Sequence, residues 1–132
     1  MLCTDVVTAF VCYKGRILLV HRSPCMPSYA GKWGAISGSI MPGEDAATAA
    51  IREVWEETAI PSDALSQRAS APPLHVGEGE RCWCVHPFLF SSSTGAVRLN
   101  EENTEYRWIL PEELSRFDVV DGLVTAYASL IS

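Results

Sequence analysis

The sequence predicts an α/β fold in which a mixed β-sheet is sandwiched between helices. Strand-like apolar segments occur both before and after an amphipathic helix at about residues 45–58, and the chain ends in a second helical pattern. Strands, a helix, further strands and a terminal helix are typical of a mixed sheet covered on both faces. A length of 132 residues fits one domain, so we expect a single domain over residues 1–132.

The composition excludes several classes of partner. Hydrophobic residues make up 48% of the chain and charged residues 20%, as in a folded globular protein. A net charge of −6 argues against a nucleic-acid polymer, because polymer binding relies on clustered Lys and Arg. The longest apolar stretch, residues 8–20, is interrupted by charged residues and fits neither a signal peptide nor a membrane span. We therefore expect a cytoplasmic protein with no membrane partner. The composition does not decide whether the protein forms a homodimer.

The first strands have clear local signals. Residues 4–13 and 16–22 are rich in β-branched, aliphatic and aromatic residues, and two turn residues separate them, so they predict a β-hairpin. Residues 23–32 contain two prolines and a glycine, which predict a loop, and a strand follows over residues 33–40.

The second half continues with strands and a helix. We predict a loop over residues 71–80, strands over 81–90 and 105–110, a turn over 111–114 and a helix within 117–130. Apolar residues at helical spacing are expected to form the buried side of this last helix: Val120, Val124, Tyr127 and Ile131.

The helix over residues 45–58 has an unusual acidic side. Glu53, Glu56 and Glu57 fall within about a 100° arc, because successive residues are separated by roughly 100° around the helix axis. Arg52 precedes Glu56 by one turn and can pair with it. We expect the opposite side to be buried, leaving the carboxylates on a surface or cleft beside small alanines; that buried side is Ala47, Ile51, Val54, Trp55 and Thr58. A merely solvated acidic face is the alternative.

Residues 38–60 have a long pattern of fixed charged positions. Gly38 is followed after five residues by Glu44, and after seven more by Arg52-Glu53, an aliphatic residue, any residue and Glu56-Glu57. This segment resembles the box of the Nudix hydrolases. Ala59 stands where the family has glycine, so a left-handed helix end there would cost about 1 kcal/mol. Residues 33–38 and 105–114 resemble the strands that flank the box in that family.

The resemblance implies the Nudix fold and a metal-dependent hydrolase. Its substrates are nucleoside diphosphates linked to another group, such as nucleoside triphosphates or nucleotide sugars, in which water attacks phosphorus. It implies that Arg52 orients the site and that the metal-site residues are Glu53, Glu56, Glu57, Glu44 and Gly38. Oxygen ligands suit Mg²⁺ or Mn²⁺ rather than zinc.

The general base is the least transferable role in this family. Members place it either on the box helix, which would be Glu53 here, or in a later loop. The loop candidates are Glu101, Glu102 and Glu105, and we prefer Glu102. A solvated acidic turn is the competing interpretation for each of them. The expected catalytic residues are thus Glu53, Arg52 and Glu102.

Two other functions stay open within the same fold. One is a catalytically silent nucleotide-sensing Nudix module, which would not need so many mutually repelling acids. The other is an isoprenoid diphosphate isomerase-like enzyme, which the short chain and the intact box disfavour. Metal-dependent turnover of nucleotides would separate these functions.

The cysteines and histidines suggest a second, weaker motif. Five cysteines are an odd number without the spacing of a disulfide scaffold, which favours reduced thiols. Cys82, Cys84 and His86 alternate along a predicted strand and therefore point to one face. They could form a metal corner, but packing in the core is the more common role of such residues.

Aromatic residues and one aspartate are candidates for binding a nucleobase. Tyr29, Trp33, Trp83 and Phe88 could stack on a base, although aromatic residues in strands usually fill the core. Asp121 lies where nucleotide-cleaning relatives place a polar residue that contacts the base, and a helix N-cap is the competing role.

Overall fold

The computed structural model describes residues 3–131 and confirms the predicted mixed sheet with helices on both faces. Its strands are β1 (Thr4–Tyr13), β2 (Arg16–Arg22), β3 (Trp33–Gly34), β4 (Ile36–Ser39), β5 (Leu65–Ser70), β6 (Leu74–Glu78), β7 (Arg81–Ser92) and β8 (Asn103–Ile109). Its helices are α1 (Ala46–Thr58) and α2 (Leu123–Ile131), with short 3₁₀ helices at Ser62–Ala64 and Pro111–Arg116. No helix within residues 3–131 has the length and hydrophobicity to cross a membrane.

The sheet is built around a central parallel pair. Strand β1 runs parallel to β7, with Thr4 opposite Trp83 and Cys12 opposite Ser91, and the other strand pairs are antiparallel. The main strand order is β3-β2-β1-β7-β5, while β4 pairs with β1, β6 with β7 and β8 with β2. Helix α1 packs on one face of the sheet and α2 on the other, so each face has its own apolar core.

The first part of the chain follows the sequence prediction closely. The β1–β2 hairpin has the predicted bounds, and residues 23–32 form the predicted loop. The strand expected over residues 33–40 is divided at Ala35: β3 pairs with β2, whereas β4 pairs with β1. The change of partner brings β4 beside the start of α1.

The loop predicted over residues 71–80 is wrong for its central half, which is strand β6. Strand β6 reaches β7 through a two-residue turn at Gly79-Glu80, where Gly79 has a φ of 63°. Strand β5 is a second element that the sequence does not predict. Its sequence, Leu-Ser-Gln-Arg-Ala-Ser, is mostly polar and exposed, so it lacks the apolar alternation that identifies a half-buried strand.

The predicted apolar side of the last helix is only half correct: Val120 and Tyr127 pack against the core, whereas Val124 and Ile131 do not. Helix α2 begins only at Leu123, because Gly122 has a φ of 83° and interrupts the helical path. Its buried residues are Leu123, Ala126 and Leu130, whereas Val124 and Ile131 are exposed.

One pair of cysteines departs from the expectation of reduced thiols. Cys3, just before β1, is disulfide-bonded to Cys82 at the start of β7. Among the described residues, Cys12, Cys25 and Cys84 are free. The odd total therefore consists of one bonded pair and three thiols.

Candidate active site

Helix α1 begins and ends at positions set by local chemistry. Asp45 is the N-cap, and its Oδ1 accepts a 2.7 Å hydrogen bond from the Thr48 amide. At the other end Ala59 adopts the left-handed conformation, with φ 62° and ψ 19°, and donates its amide to the Trp55 carbonyl. The cap position therefore has the backbone that favours glycine, although the residue is alanine.

The acidic side of α1 lines a cleft, as expected, but two of its carboxylates are more buried than their charge suggests. Glu53 is 7% exposed and Glu57 is 2% exposed, whereas Trp55, predicted to be buried, is 54% exposed. The alanines on this side, Ala49 and Ala50, are fully buried and let the helix approach the sheet closely.

Gly38 on β4 makes room for one of these carboxylates. A Cβ built on Gly38 would overlap the carboxylate of Glu53. Any side chain at this position would push Glu53 away. Gly38 thus holds its place in the pattern because of a close approach between β4 and α1.

Three carboxylates come together beside Gly38. One oxygen from each of Glu53, Glu57 and Glu102 lies within 4.8 Å of the others. Glu102 comes from the loop before β8, and Asn100 orients it by donating to its carboxylate at 3.3 Å. The other loop candidates lie elsewhere: Glu101 is exposed, and Glu105 pairs with Arg107 at the surface.

Arg52 connects the remaining acids of the motif. Its guanidinium donates two hydrogen bonds to Glu44, at 2.8 and 2.9 Å, and one of 2.8 Å to Glu53. It also donates to Glu56 at 3.2 Å and to the Ser39 carbonyl at 2.9 Å. All three guanidinium nitrogens therefore donate hydrogen bonds, and these bonds hold the three carboxylates and β4 in fixed positions relative to one another.

Glu44 and Glu56 lie outside the group of three close carboxylates. The hydrogen bonds from Arg52 and the Met41 amide lower the pKa of Glu44 from 4.5 to about 2. Glu56 has a side chain that is 46% exposed and is held by Arg52, outside the group of three close carboxylates. Of the predicted metal-site residues, the structure brings Glu53 and Glu57 together and keeps Glu56 further out.

The surroundings of the Glu57 carboxylate favour the binding of a cation. Asn103 donates a 3.0 Å hydrogen bond to its Oε1, while Glu57 Oε2 and Asn103 Oδ1 are buried without a hydrogen-bond partner among residues 3–131. Burial, and then the charges of Glu102 and Glu53, raises the pKa of Glu57 well above 4.5. Burial also raises the pKa of Glu53. A divalent cation bound among these oxygens would relieve both effects, so the residues fit such an ion.

Asn103 is a site residue that the sequence analysis misses. It follows two glutamates and precedes a strand, where an asparagine is usually interpreted as a turn residue. Only the pairing of β8 with β2 carries it next to α1. No local signal in the sequence identifies this contact.

A cavity of about 510 Å³ adjoins the carboxylates. Glu53, Glu56 and Glu102 line it together with apolar and aromatic residues, which include Val6, Tyr29, Val76, Trp83 and Val85. The volume lies within the range of small-molecule sites. An acidic region beside an apolar wall suits a ligand with one charged and one ring-containing part.

Two of the four aromatic candidates line this cavity. Tyr29 and Trp83 have ring centroids 5.5 Å apart, and Asp121 also lines the cavity. Trp33 packs instead against His21 and Phe117. Phe88 belongs to the core, as the alternative interpretation of strand aromatics expected.

Comparison with known proteins gives a consistent result. The NUDIX domain model matches residues 4–130. A nucleoside triphosphatase, NudI of Escherichia coli strain UMN026, is 26% identical over 122 residues, which cover 86% of each chain.

Solved structures agree in fold. A MutT protein from Methanosarcina mazei Go1 has a TM-score of 0.79 and 26% identity, and the match covers 95% of this chain and 90% of that chain. An Ap4A hydrolase of C. elegans, solved as a binary complex, has a TM-score of 0.81 and 21% identity, with coverage of 96% and 93%.

Proposed function

This chain belongs to the Nudix hydrolase family, and from that membership we propose that it cleaves the diphosphate bond of a nucleoside triphosphate or a nucleotide sugar. It is an enzyme of the pyrophosphohydrolase type, which acts on acid anhydrides. One observation carries the proposal: the group of Glu53 and Glu57, both buried, and the partly buried Glu102 adjoins a cavity large enough for a nucleotide.

We propose that Glu53 and Glu57 hold Mg²⁺ or Mn²⁺, with Glu102 beside the ion. The donor set consists of oxygens alone, which these hard cations prefer, and Glu57 Oε2 has no other partner among the described residues. Glu56, Glu44 and Gly38 complete the site by lining or shaping it. When bound, the cation neutralises charge on the diphosphate and makes a water more acidic.

The chain's own residues supply position and a proton acceptor. Arg52 fixes Glu44, Glu53 and Glu56, so that the carboxylates need no rearrangement when the substrate arrives. The Glu102 carboxylate, oriented by Asn100, accepts the proton of the attacking water. Phosphoryl transfer asks for little covalent chemistry from the protein, so these tasks suffice.

The apolar wall of the cavity favours a nucleotide over a simple polyphosphate. A base can stack on Trp83 or Tyr29, and the Asp121 carboxylate can accept a hydrogen bond from its ring nitrogens or amino group. The similarity to a nucleoside triphosphatase supports this substrate class. A nucleotide substrate also favours the cytoplasm as the place of action.

A substrate screen tests the proposal. The purified protein is incubated with nucleoside triphosphates and nucleotide sugars, with Mg²⁺, Mn²⁺ or EDTA, and the products are identified by phosphorus NMR. We expect turnover that depends on the metal, with pyrophosphate and a monophosphate released from triphosphates. Glu101→Gln serves as a matched control for Glu102→Gln, because Glu101 is the exposed neighbour. Nucleotide binding without turnover by the wild-type protein would contradict the proposal and favour the sensing module.

A further inference from the structure

A second set of metal-binding side chains lies on the sheet face that carries α1. Asp5 and Cys84 are direct partners across the β1–β7 pair, and His86 follows two residues later on β7. Side chains two residues apart on a strand share a face, as do those of direct partners. The β-sheet therefore places a carboxylate, a thiol and an imidazole side by side.

From this arrangement we propose that Asp5, Cys84 and His86 bind Zn²⁺. One ligand atom from each lies within 4.8 Å of the others, and His86 Nε2 is 3.1 Å from Asp5 Oδ1. In a tetrahedral zinc site the ligand atoms are about 3.4 Å apart, given metal–ligand bonds of roughly 2.0–2.3 Å. Small side-chain rotations bring the three atoms to that spacing.

The surroundings argue against a role in the core. Cys84 and His86 are only partly buried, and the Asp5 side chain is 62% exposed, so an ion can reach all three. Cys84 and His86 therefore lack the full burial that packing in the core predicts. Cys82 is bonded to Cys3 and is not available as a ligand, so Asp5 takes the third position of the predicted corner.

The donor chemistry selects zinc over magnesium. Thiolate and imidazole are ligands of borderline and soft cations, whereas Mg²⁺ binds oxygens. His75 lies directly opposite Cys84 on β6 and is exposed, so a fourth protein ligand is available on the same face. The bound ion would join β1 to β7, and through His75 also to β6.

This site is separate from the proposed catalytic one. Trp83 and Val85, which alternate with Cys84 and His86 along β7, line the nucleotide cavity. The proposed zinc ligands therefore point to the opposite face of the sheet. The inference stands whether or not the chain hydrolyses nucleotides.

Cobalt titration tests the zinc site directly. Co²⁺ is added to the protein with its disulfide intact and with Mg²⁺ in excess, and thiolate-to-cobalt charge-transfer absorption is followed in the near ultraviolet. We expect one equivalent to bind with this band, and Zn²⁺ to displace it. Cys84→Ser should remove the band, and His86→Gln and Asp5→Asn should each weaken binding at least about tenfold.

Matched controls separate this result from binding elsewhere. Cys12→Ser and Cys25→Ser alter the other two free thiols of the described chain and should leave the band unchanged. All variants should keep the wild-type melting temperature in EDTA, and nucleotide hydrolysis should be unaffected. A band that survives in Cys84→Ser, or affinities unchanged in both His86→Gln and Asp5→Asn, would overturn the assignment. Asp5 is exposed, so its variant tests the site even if Cys84→Ser misfolds.

Discussion

Asn103 and Glu57 form a buried pair in which only one oxygen of the carboxylate is satisfied. Asn103 Nδ2 donates to Glu57 Oε1 at 3.0 Å, and Oε2 has no hydrogen-bond partner among residues 3–131. The remaining neighbours of this carboxylate include Glu53 and Glu102, which repel it. The protein thus maintains an electrostatically unfavourable arrangement that a cation would correct, and its cost should be measurable.

Glu57→Gln should separate activity from stability. The neutral amide keeps an oxygen for Asn103 and removes a buried charge, so we expect a higher melting temperature than wild type in EDTA. Turnover with Mg²⁺ should fall at least about 100-fold, because a metal ligand is lost. Glu101→Gln, which removes an exposed charge nearby, should change neither property much. Wild-type turnover by Glu57→Gln would refute the role of this carboxylate.

The stability of the metal-free protein should fall as pH rises above about 4.5. The folded-state pKa of Glu57, and that of Glu53, is raised above the ordinary value of 4.5. A raised carboxyl pKa stabilises the fold fully below 4.5, and this contribution is lost as pH rises through the folded pKa. The pKa of Glu44 is lowered from 4.5 to about 2, so Glu44 affects the pH dependence of stability only below 4.5. Its stabilising contribution is lost as the pH falls through that range.

Urea unfolding in EDTA at several pH values between about 4.5 and 8 measures this effect. Because other groups also titrate in that interval, the informative quantity is the difference between wild type and Glu57→Gln. We expect the advantage of the variant to grow with pH, and saturating Mg²⁺ to reverse it by stabilising the wild type. A difference that is independent of pH would contradict the raised pKa.

Arg52→Lys should lower kcat by about 10- to 100-fold with little change in KM. Lysine keeps the charge but cannot bind both oxygens of Glu44 while also reaching Glu53 and Glu56. Arg68→Lys is the matched control, because Arg68 is exposed on β5, where its Nε donates to the Ser91 hydroxyl at 2.9 Å. Equal kinetics for the two variants would remove the positioning role of Arg52.

Ala59→Gly should stabilise the protein by about 1 kcal/mol, because glycine adopts the left-handed cap without the steric cost that alanine has. The melting temperature should rise by about 3–5 °C. Ala47→Gly is the opposite control, since glycine inside α1 should destabilise by about 1 kcal/mol. A loss of stability in Ala59→Gly would mean that the helix end depends on the alanine methyl group.

Trp83→Ala should raise KM for nucleotides about tenfold, because stacking of a base on an aromatic ring is worth roughly 1–3 kcal/mol. Trp83 lines the cavity without belonging to the carboxylate group, so kcat should change much less. Trp55→Ala removes an equally large ring from an exposed position on α1 and should leave KM unchanged. A KM that is the same in both variants would exclude Trp83 from the substrate site.

The parts of the fold that sequence could predict are those with strong local signals. The β1–β2 hairpin has long apolar runs and a turn of Lys14-Gly15, and α1 has an aspartate cap and a following proline. Strand β6 is only five residues long, and the prolines just before it and the glycines within and after it are loop signals that hide its short alternation. Pairing with β7 stabilises it, and that information lies elsewhere in the chain.

The candidate site is likewise predictable from sequence only in part. Spacing alone groups Glu53, Glu56 and Glu57, but it cannot show that Glu53 and Glu57 face the sheet while Glu56 turns to Arg52. That distinction depends on Gly38, whose missing side chain admits the Glu53 carboxylate. Helical periodicity predicts that Trp55 is buried, because it is a large apolar residue on the side opposite the glutamates. In the structure Trp55 is exposed, and the small alanines are buried instead.

Different secondary-structure elements supply the acidic residues and the apolar wall of the cavity, and this affects how the substrate preference of such an enzyme can change. The acids for chemistry come from α1 and the turn before β8, whereas much of the apolar wall comes from the β6–β7 hairpin. New preferences among nucleotides can therefore be acquired by substituting the cavity-lining side chains of this hairpin, while the acidic residues on α1 and before β8 stay unchanged. For protein engineers, the cavity-lining side chains of this hairpin, Val76, Trp83 and Val85, are the positions to vary in directed evolution, while the pairing of β7 with β1 is kept.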